Sequence, residues 1–163
     1  MNLKPKRTYF FMAIFALVAV VLDQITKYCT VTTIPLGGNV PVISWLFRLT
    51  YVQNRGAAWS AFEGQQWLFA LIFVAFFIFL LWEFSTGKMG FLPFERWCLV
   101  AVFSGGLGNM IDRIRLGYVV DMIDVTFMNF PVFNVADCFI TCGCVGLFVH
   151  LLFWNKGFWK EKT

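Results

Sequence analysis

The sequence predicts an integral membrane protein, mainly α, with four transmembrane helices and a small structured element on one membrane face. Three observations carry that reading. Of 163 residues, 60% are hydrophobic and 20% aromatic, while 13% are charged, against roughly 25% in ordinary soluble domains. That balance excludes a soluble globule and any extensive disorder. Four uncharged stretches run from Thr8 to Leu22, Gly64 to Trp82, Trp97 to Ile111 and Cys138 to Asn155. Basic residues, finally, are unequally divided between the two sides that four spans create.

A hydrocarbon core takes about 20 residues to cross, with a range of roughly 17–25. The second and fourth stretches are long enough alone. The first and third reach span length when the polar residues at their outer ends, Asp23 and Asp112, are counted in the helix. The spans are therefore expected at about 8–28, 66–83, 95–113 and 134–154, in one membrane domain covering 1–163. Lys4, Lys6 and Arg7 before the first stretch also suit a secretory signal. No small-x-small cleavage site follows, however, and Asp23, Gln24 and Lys27 continue the helical pattern, so this segment is read as a retained span.

Between the first two spans, "PLGG" is a turn signal. "NVPVISWLFRLTYVQN" (39–54) after it is rich in strand formers and reads as a hairpin or small curved sheet resting at the membrane surface, over about 36–54. "RGAAWSAFEG" suits a short interfacial helix at about 56–64, with Trp59 and Phe62 at headgroup level. The connection "FSTGKMGFLPFER" carries turn residues and no motif. A second outer loop occupies 112–133.

Basic residues set orientation. The termini and the loop 83–96 carry Lys4, Lys6, Arg7, Lys88, Arg96, Lys156, Lys160 and Lys162, eight in all. The opposite side carries Lys27, Arg48, Arg55, Arg113 and Arg115, five, so the first side is expected to be cytoplasmic. Six of the nine acids, Asp23, Glu63, Asp112, Asp121, Asp124 and Asp137, crowd the outer side. The net charge of +4 belongs to the cytoplasmic flanks and points to no nucleic acid.

Ionisable groups at membrane depth are expensive and face a bundle interior or a wet cavity. Asp23 and Lys27 share a helix face at i, i+4 and can pair. On span three, Ser104, Gly108 and Asp112 share a face, with Gly105, Asn109 and Arg113 beside them. Close packing accounts for the glycines, but not for the polar side chains. On span four, Asn134, Asp137 and Thr141 form a polar stripe. Asp137 suits a helix N-terminal cap, but Asp121 lies only sixteen residues upstream. Two acids brought together at the lipid boundary share one proton and supply an acid and a base at neutral pH. Spacing leaves Asp112 and Asp124 as equal candidates for the second acid.

Other chemistries have less support. The single His150 gives no His-based ligand set, and no phosphate loop or dinucleotide motif is present. Cys138, Cys142 and Cys144 are expected to be small buried hydrophobes. A proton or ion relay through Asp23, Lys27, Asp112 and Asp137 needs ionisable groups through the whole bilayer, whereas these gather at one end.

The blocks "LDQITK", "NRGAAWS", "GGLGNMIDRI", "GYVVDMID" and "FNVADCFI", in this order, resemble those of bacterial lipoprotein signal peptidases, the signal peptidase II family. The resemblance covers nearly the whole chain. It implies a membrane aspartyl endopeptidase with four helices, an extracytoplasmic β-cradle, a surface helix and both termini in the cytoplasm of a bacterial (inner) membrane protein. The implied substrate is a diacylglyceryl-modified prolipoprotein in membrane lipid, cleaved just before the modified cysteine. It implies a catalytic pair at Asp121 and Asp137, supported by Asp23, Lys27, Asn54, Gly56, Asn109, Arg113 and Asn134. No metal or cofactor is implied, a monomer is expected, and globomycin-type cyclic peptides are expected to inhibit. Arg55 departs from the smaller or uncharged residue expected before Gly56.

Overall fold

The structure, a computed structural model, describes residues 5–56 and 64–159. The elements run α1 (Pro5–Thr33), β1 (Asn39–Ile43), β2 (Phe47–Asn54), α2 (Gln66–Thr86), α3 (Pro93–Leu116), β3 (Val119–Val125) and α4 (Val135–Phe153). The interfacial helix expected at 56–64 falls on residues 57–63, outside the described residues. The two flanks of that segment meet, since the Gly64 amide donates to the Arg55 carbonyl at 3.4 Å.

Among the described residues, three helical stretches are long and apolar enough to cross a membrane: Arg7–Thr33, Gln66–Thr86 and Val135–Phe153. Their outer surfaces carry exposed Leu17, Ile25, Leu71, Ile78, Phe148 and Phe153, side chains that lipid accommodates and water does not. α3 has 24 residues, about 36 Å at 1.5 Å per residue. It is less apolar because it packs against α1, α2 and α4 and buries polar Glu95, Ser104, Asn109 and Asp112.

Small residues let α3 and α4 approach. A Cβ on Gly105 would run into the Ala136 carbonyl, and one on Gly143 would lie 2.7 Å from the Cys98 carbonyl. At the other end of α3, Gly117 takes φ +78°, a left-handed cap that turns the chain directly into β3.

The sheet is antiparallel in the order β1-β2-β3. The hairpin expected from the first outer segment is present as β1 and β2. The third strand, "VVDMIDV", lies within the second outer loop, for which the sequence predicts only a connection. Ile34, Tyr51, Val120 and Met122 form its buried core against the end of α1. The register sets Val52 opposite Asp121 and Asn54 opposite Val119. At the far end of the bundle, fully buried Glu83 and Glu95 accept the amides of Met89 and Leu92. These bonds fix the connection between α2 and α3.

Candidate active site

α4 begins at an extended Asn134 whose side-chain oxygen accepts the Asp137 amide, while Asp137 returns a carboxylate oxygen to the Asn134 amide. These bonds are 3.0 and 3.1 Å. The expected capping role of Asp137 is thus real, but it uses only one carboxylate oxygen. Oδ1 accepts from Asn109 Nδ2 at 2.8 Å, across the contact between α3 and α4.

Asp121 arrives from β3 with 2% of its surface exposed. Oδ1 accepts from Asn134 Nδ2 at 2.6 Å and Oδ2 from Asn54 Nδ2 at 2.9 Å. Asn54 reaches it diagonally across the β2–β3 ladder, a normal range for cross-strand neighbours. Its amide is oriented because its oxygen accepts the Gly56 amide at 2.9 Å. Asn134 stands between the acids: its side chain bonds Asp121 and its backbone bonds Asp137. Asn134 Nδ2 also donates to Asn109 Oδ1 at 3.1 Å, so three asparagines and two acids share one network.

Burial pushes the Asp121 carboxyl from 3.8 up to about 6. The Asn54 hydrogen bond opposes the rise, the nearby Asp137 charge adds to it, and Asn134 and Lys27 oppose it. A carboxyl poised there can both give and take a proton near neutral pH.

Behind these residues lies a buried ion cluster. Lys27 Nζ is 2.9 Å from Asp23 Oδ2, 3.1 Å from Asp112 Oδ2 and 2.9 Å from Asn109 Oδ1. Asp23 Oδ1 accepts the Ala136 amide at 3.0 Å, and Asp112 Oδ2 accepts the Val120 amide at 3.1 Å. The cluster therefore grips the chain one residue before each of the two acids. Asp112, an equal candidate for the second acid on spacing, is committed to Lys27 and to β3. Asp124 pairs with Arg48 at 2.7 Å on the sheet surface. Gln24, not singled out from the sequence, donates to Asp112 Oδ1 at 3.0 Å and the Gly108 carbonyl at 3.2 Å. Its place one residue after Asp23 in "LDQITK" was the available signal.

A cavity of about 820 Å³ opens between α2, α3 and α4. Its apolar wall includes Phe69, Phe73, Phe76, Val102, Gly106 and Ile140, and its polar end includes Asp121, Asp137, Asn54, Asn109 and Arg113. Gly56 and Thr141 line it as well. Arg113 donates to the Gly56 carbonyl at 3.0 Å and stacks over Phe69 at 4.2 Å, placing one cation beside the acids. Arg55 turns elsewhere, exposed and 5.8 Å over the Tyr118 ring. The cysteines also differ from expectation. Cys142 and Cys144 are exposed and Cys138 is half-buried, so only Cys98 is a buried packing residue.

A family model described as Signal peptidase (SPase) II matches residues 15–153. The chain is 41% identical over 142 residues to the "Lipoprotein signal peptidase" of Lactococcus lactis subsp. cremoris (strain SK11), covering 85% of this chain and 91% of that protein. It is 40% identical over 157 residues to the protein of the same name from Streptococcus pyogenes serotype M2 (strain MGAS10270), covering 96% and 97%. A solved bacterial membrane enzyme, determined by the in meso method at 2.3 Å, superposes with a TM-score of 0.82 at 33% identity, covering 94% of this chain and 93% of that one. A second, at 1.9 Å, gives 0.78 at 33% identity, covering 88% and 94%.

Proposed function

The chain belongs to the signal peptidase II family, and from that premise we propose that Asp121 and Asp137 are its catalytic pair. It is a multi-pass membrane protein and an aspartic peptidase that removes signal peptides from prolipoproteins. The observation that carries the residue assignment is that both carboxylates line one cavity while Asn134 holds them from behind.

One carboxylate takes a proton from water as the water attacks the scissile carbonyl; the other, protonated, donates to the carbonyl oxygen. The tetrahedral intermediate then collapses as the carboxyl that took the water's proton passes it to the departing amide nitrogen, and the other carboxylate takes back the proton it gave to the carbonyl oxygen. Asn54, Asn109 and Asn134 fix the carboxylates, and preorganised donors of this kind lower the barrier without rearranging during the reaction. Asp23 and Asp112 hold the backbone around the pair, and Lys27 holds those two carboxylates in place. Arg113, tied to Gly56, orients substrate at the cavity's polar end.

The substrate is a prolipoprotein carrying diacylglycerol on the cysteine just after the scissile bond. Its acyl chains, worth about 0.8 kcal/mol per buried CH₂, anchor it so that the bond sits at the depth of the acids. α3 is the fourth span, its polar face turned to protein. The excess of basic residues at the termini and the 83–96 loop puts both termini in the cytoplasm of a bacterial cytoplasmic membrane, with the site at the outer face. The enzyme works as a monomer, and globomycin-type cyclic peptides occupy the same cavity.

The test is to express Asp121→Asn and Asp137→Asn separately and follow cleavage of a diacylglyceryl-modified prolipoprotein. Each substitution is expected to lower the rate by roughly 10²–10⁴-fold or more. Normal processing by either variant would remove that residue from the pair.

A further inference from the structure

Two thiols share the cavity wall with the proposed catalytic acids. Cys138 and Cys142 lie one helical turn apart on α4, and both line the cavity. Cys138 directly follows Asp137 in the chain. The remaining cysteines are set apart from them. Cys98 is buried, and exposed Cys29 and Cys144 are not among the cavity's lining residues. The mechanism uses neither Cys138 nor Cys142.

We propose that Cys138 and Cys142 make this wall a covalent capture site for small, neutral, aromatic Michael acceptors, and that a group attached there excludes the substrate. The exclusion rests on the assignment of the cavity as the substrate path. Phe69, Phe73 and Phe76 supply an aromatic face opposite α4, and a charged reagent must shed its hydration to enter such a space. The volume, about 820 Å³, falls within the usual range of small-molecule sites, roughly 300–1,000 Å³.

Position also distinguishes these thiols from Cys144. A neutral aromatic molecule held against Phe69, Phe73 and Phe76 is kept beside Cys138 and Cys142, whereas Cys144 lies outside the cavity. The attacking species is the thiolate, whose proton passes to solvent. Sulfur then bonds to one alkene carbon and the π pair moves to the carbon next to the carbonyl. That carbon takes up a proton equivalent to the one sulfur lost. The net step adds S–H across C=C, with no leaving group and no change in oxidant or reductant.

The test uses full-length Cys29→Ala protein in lipid, a background expected to keep its activity because Cys29 lies outside the cavity. N-phenylmaleimide is compared with a sulfonated, anionic maleimide. Peptide mapping by mass spectrometry follows each cysteine while cleavage is assayed in parallel. Adducts are expected at Cys138 and Cys142 on the order of tenfold faster than at Cys144, because the cavity holds the reagent beside the pair. The anionic reagent should label the pair on the order of tenfold more slowly than the neutral one. Cleavage should be lost in step with the adducts, and bound lipid-modified prolipoprotein should protect both thiols.

Labelling of Cys144 as fast as the pair overturns the capture site. Complete adducts with cleavage intact overturn the exclusion of substrate. Mapping needs no activity, so full cleavage by Asp121→Asn or Asp137→Asn would defeat the catalytic assignment while leaving the mapping result to stand or fall independently.

Discussion

Asn134 does the work of a hinge pin at the scale of one residue. Its side-chain oxygen accepts from the Asp137 amide, its side-chain nitrogen donates to Asp121 and Asn109, and its backbone amide donates to Asp137. It is fully buried, and a buried amide with every polar atom engaged has one stable orientation. Asn54 plays the complementary part from β2, and its hydrogen bond favours the ionised Asp121. The raised carboxyl contributes stability fully below the unfolded value of 3.8 and loses it as pH rises through about 6. Asn54→Ala removes a donor to a charged group, worth about 1.5–3 kcal/mol. The limb of the kcat/KM–pH profile set by Asp121 should therefore move upward by roughly one to two pH units. A profile measured on lipid-modified substrate checks this, and an unmoved or lowered limb contradicts the role assigned to Asn54.

Among the elements, α3 is the most constrained, because it must bring Asn109 to Asp137 while carrying Asp112 to β3. The close approach depends on Gly105, where an added Cβ meets the Ala136 carbonyl and lies 2.8 Å from Ile140 Cγ1. Backbone cannot swing aside as a side-chain tip can, so α3 and α4 must part. Gly105→Ala is expected to cost about 1–3 kcal/mol, as overpacking typically does. It should also lower cleavage by on the order of 10²-fold if the acids separate by about 1 Å. Thermal unfolding and cleavage rate measured together check both effects. Gly157→Ala is the control, since its Cβ meets nothing nearer than 3.8 Å; equal behaviour of the two variants would refute the packing account. β3 is held more economically: the Asp112 carboxylate receives the Val120 amide, so α3 sets the depth of Asp121 one residue later.

Across the whole molecule, apolar surface and polar network occupy different places. Lipid-compatible side chains cover the outside of α1, α2 and α4, while ions concentrate where α1, α3, β3 and the start of α4 meet. A second polar group, Glu95 with His150 at 2.8 Å and Asn155 at 2.8 Å, ties α3, α4 and the following turn at the opposite end. The division of basic residues predicts which end faces the cytoplasm. A phosphatase fused after Thr163 should be inactive and a fluorescent protein there should be bright, whereas phosphatase inserted near Met128 should be active. Active phosphatase at the C-terminus would reverse the orientation.

Hydropathy, charge bias and the order of five short motifs made the membrane class, the peptidase family and the candidate acids legible in the sequence. Those features are local, and residue identity plus spacing encodes them. Other features depended on distance across the fold. Strand β3 was hidden in a loop because its pairing partner, β2, lies more than sixty residues earlier in the chain. Asp112 could not be separated from Asp121 by spacing alone. Only packing showed that Lys27 and the Val120 amide engage one carboxylate, while the other lines the cavity. The cysteines looked like packing for the same reason, since an apolar helix does not reveal which face meets protein, lipid or a cavity. Sequence by itself determined the kind of membrane protein and its supply of polar groups. Tertiary structure decided which of those groups meet, because burial and hydrogen bonding depend on neighbours in space rather than along the chain.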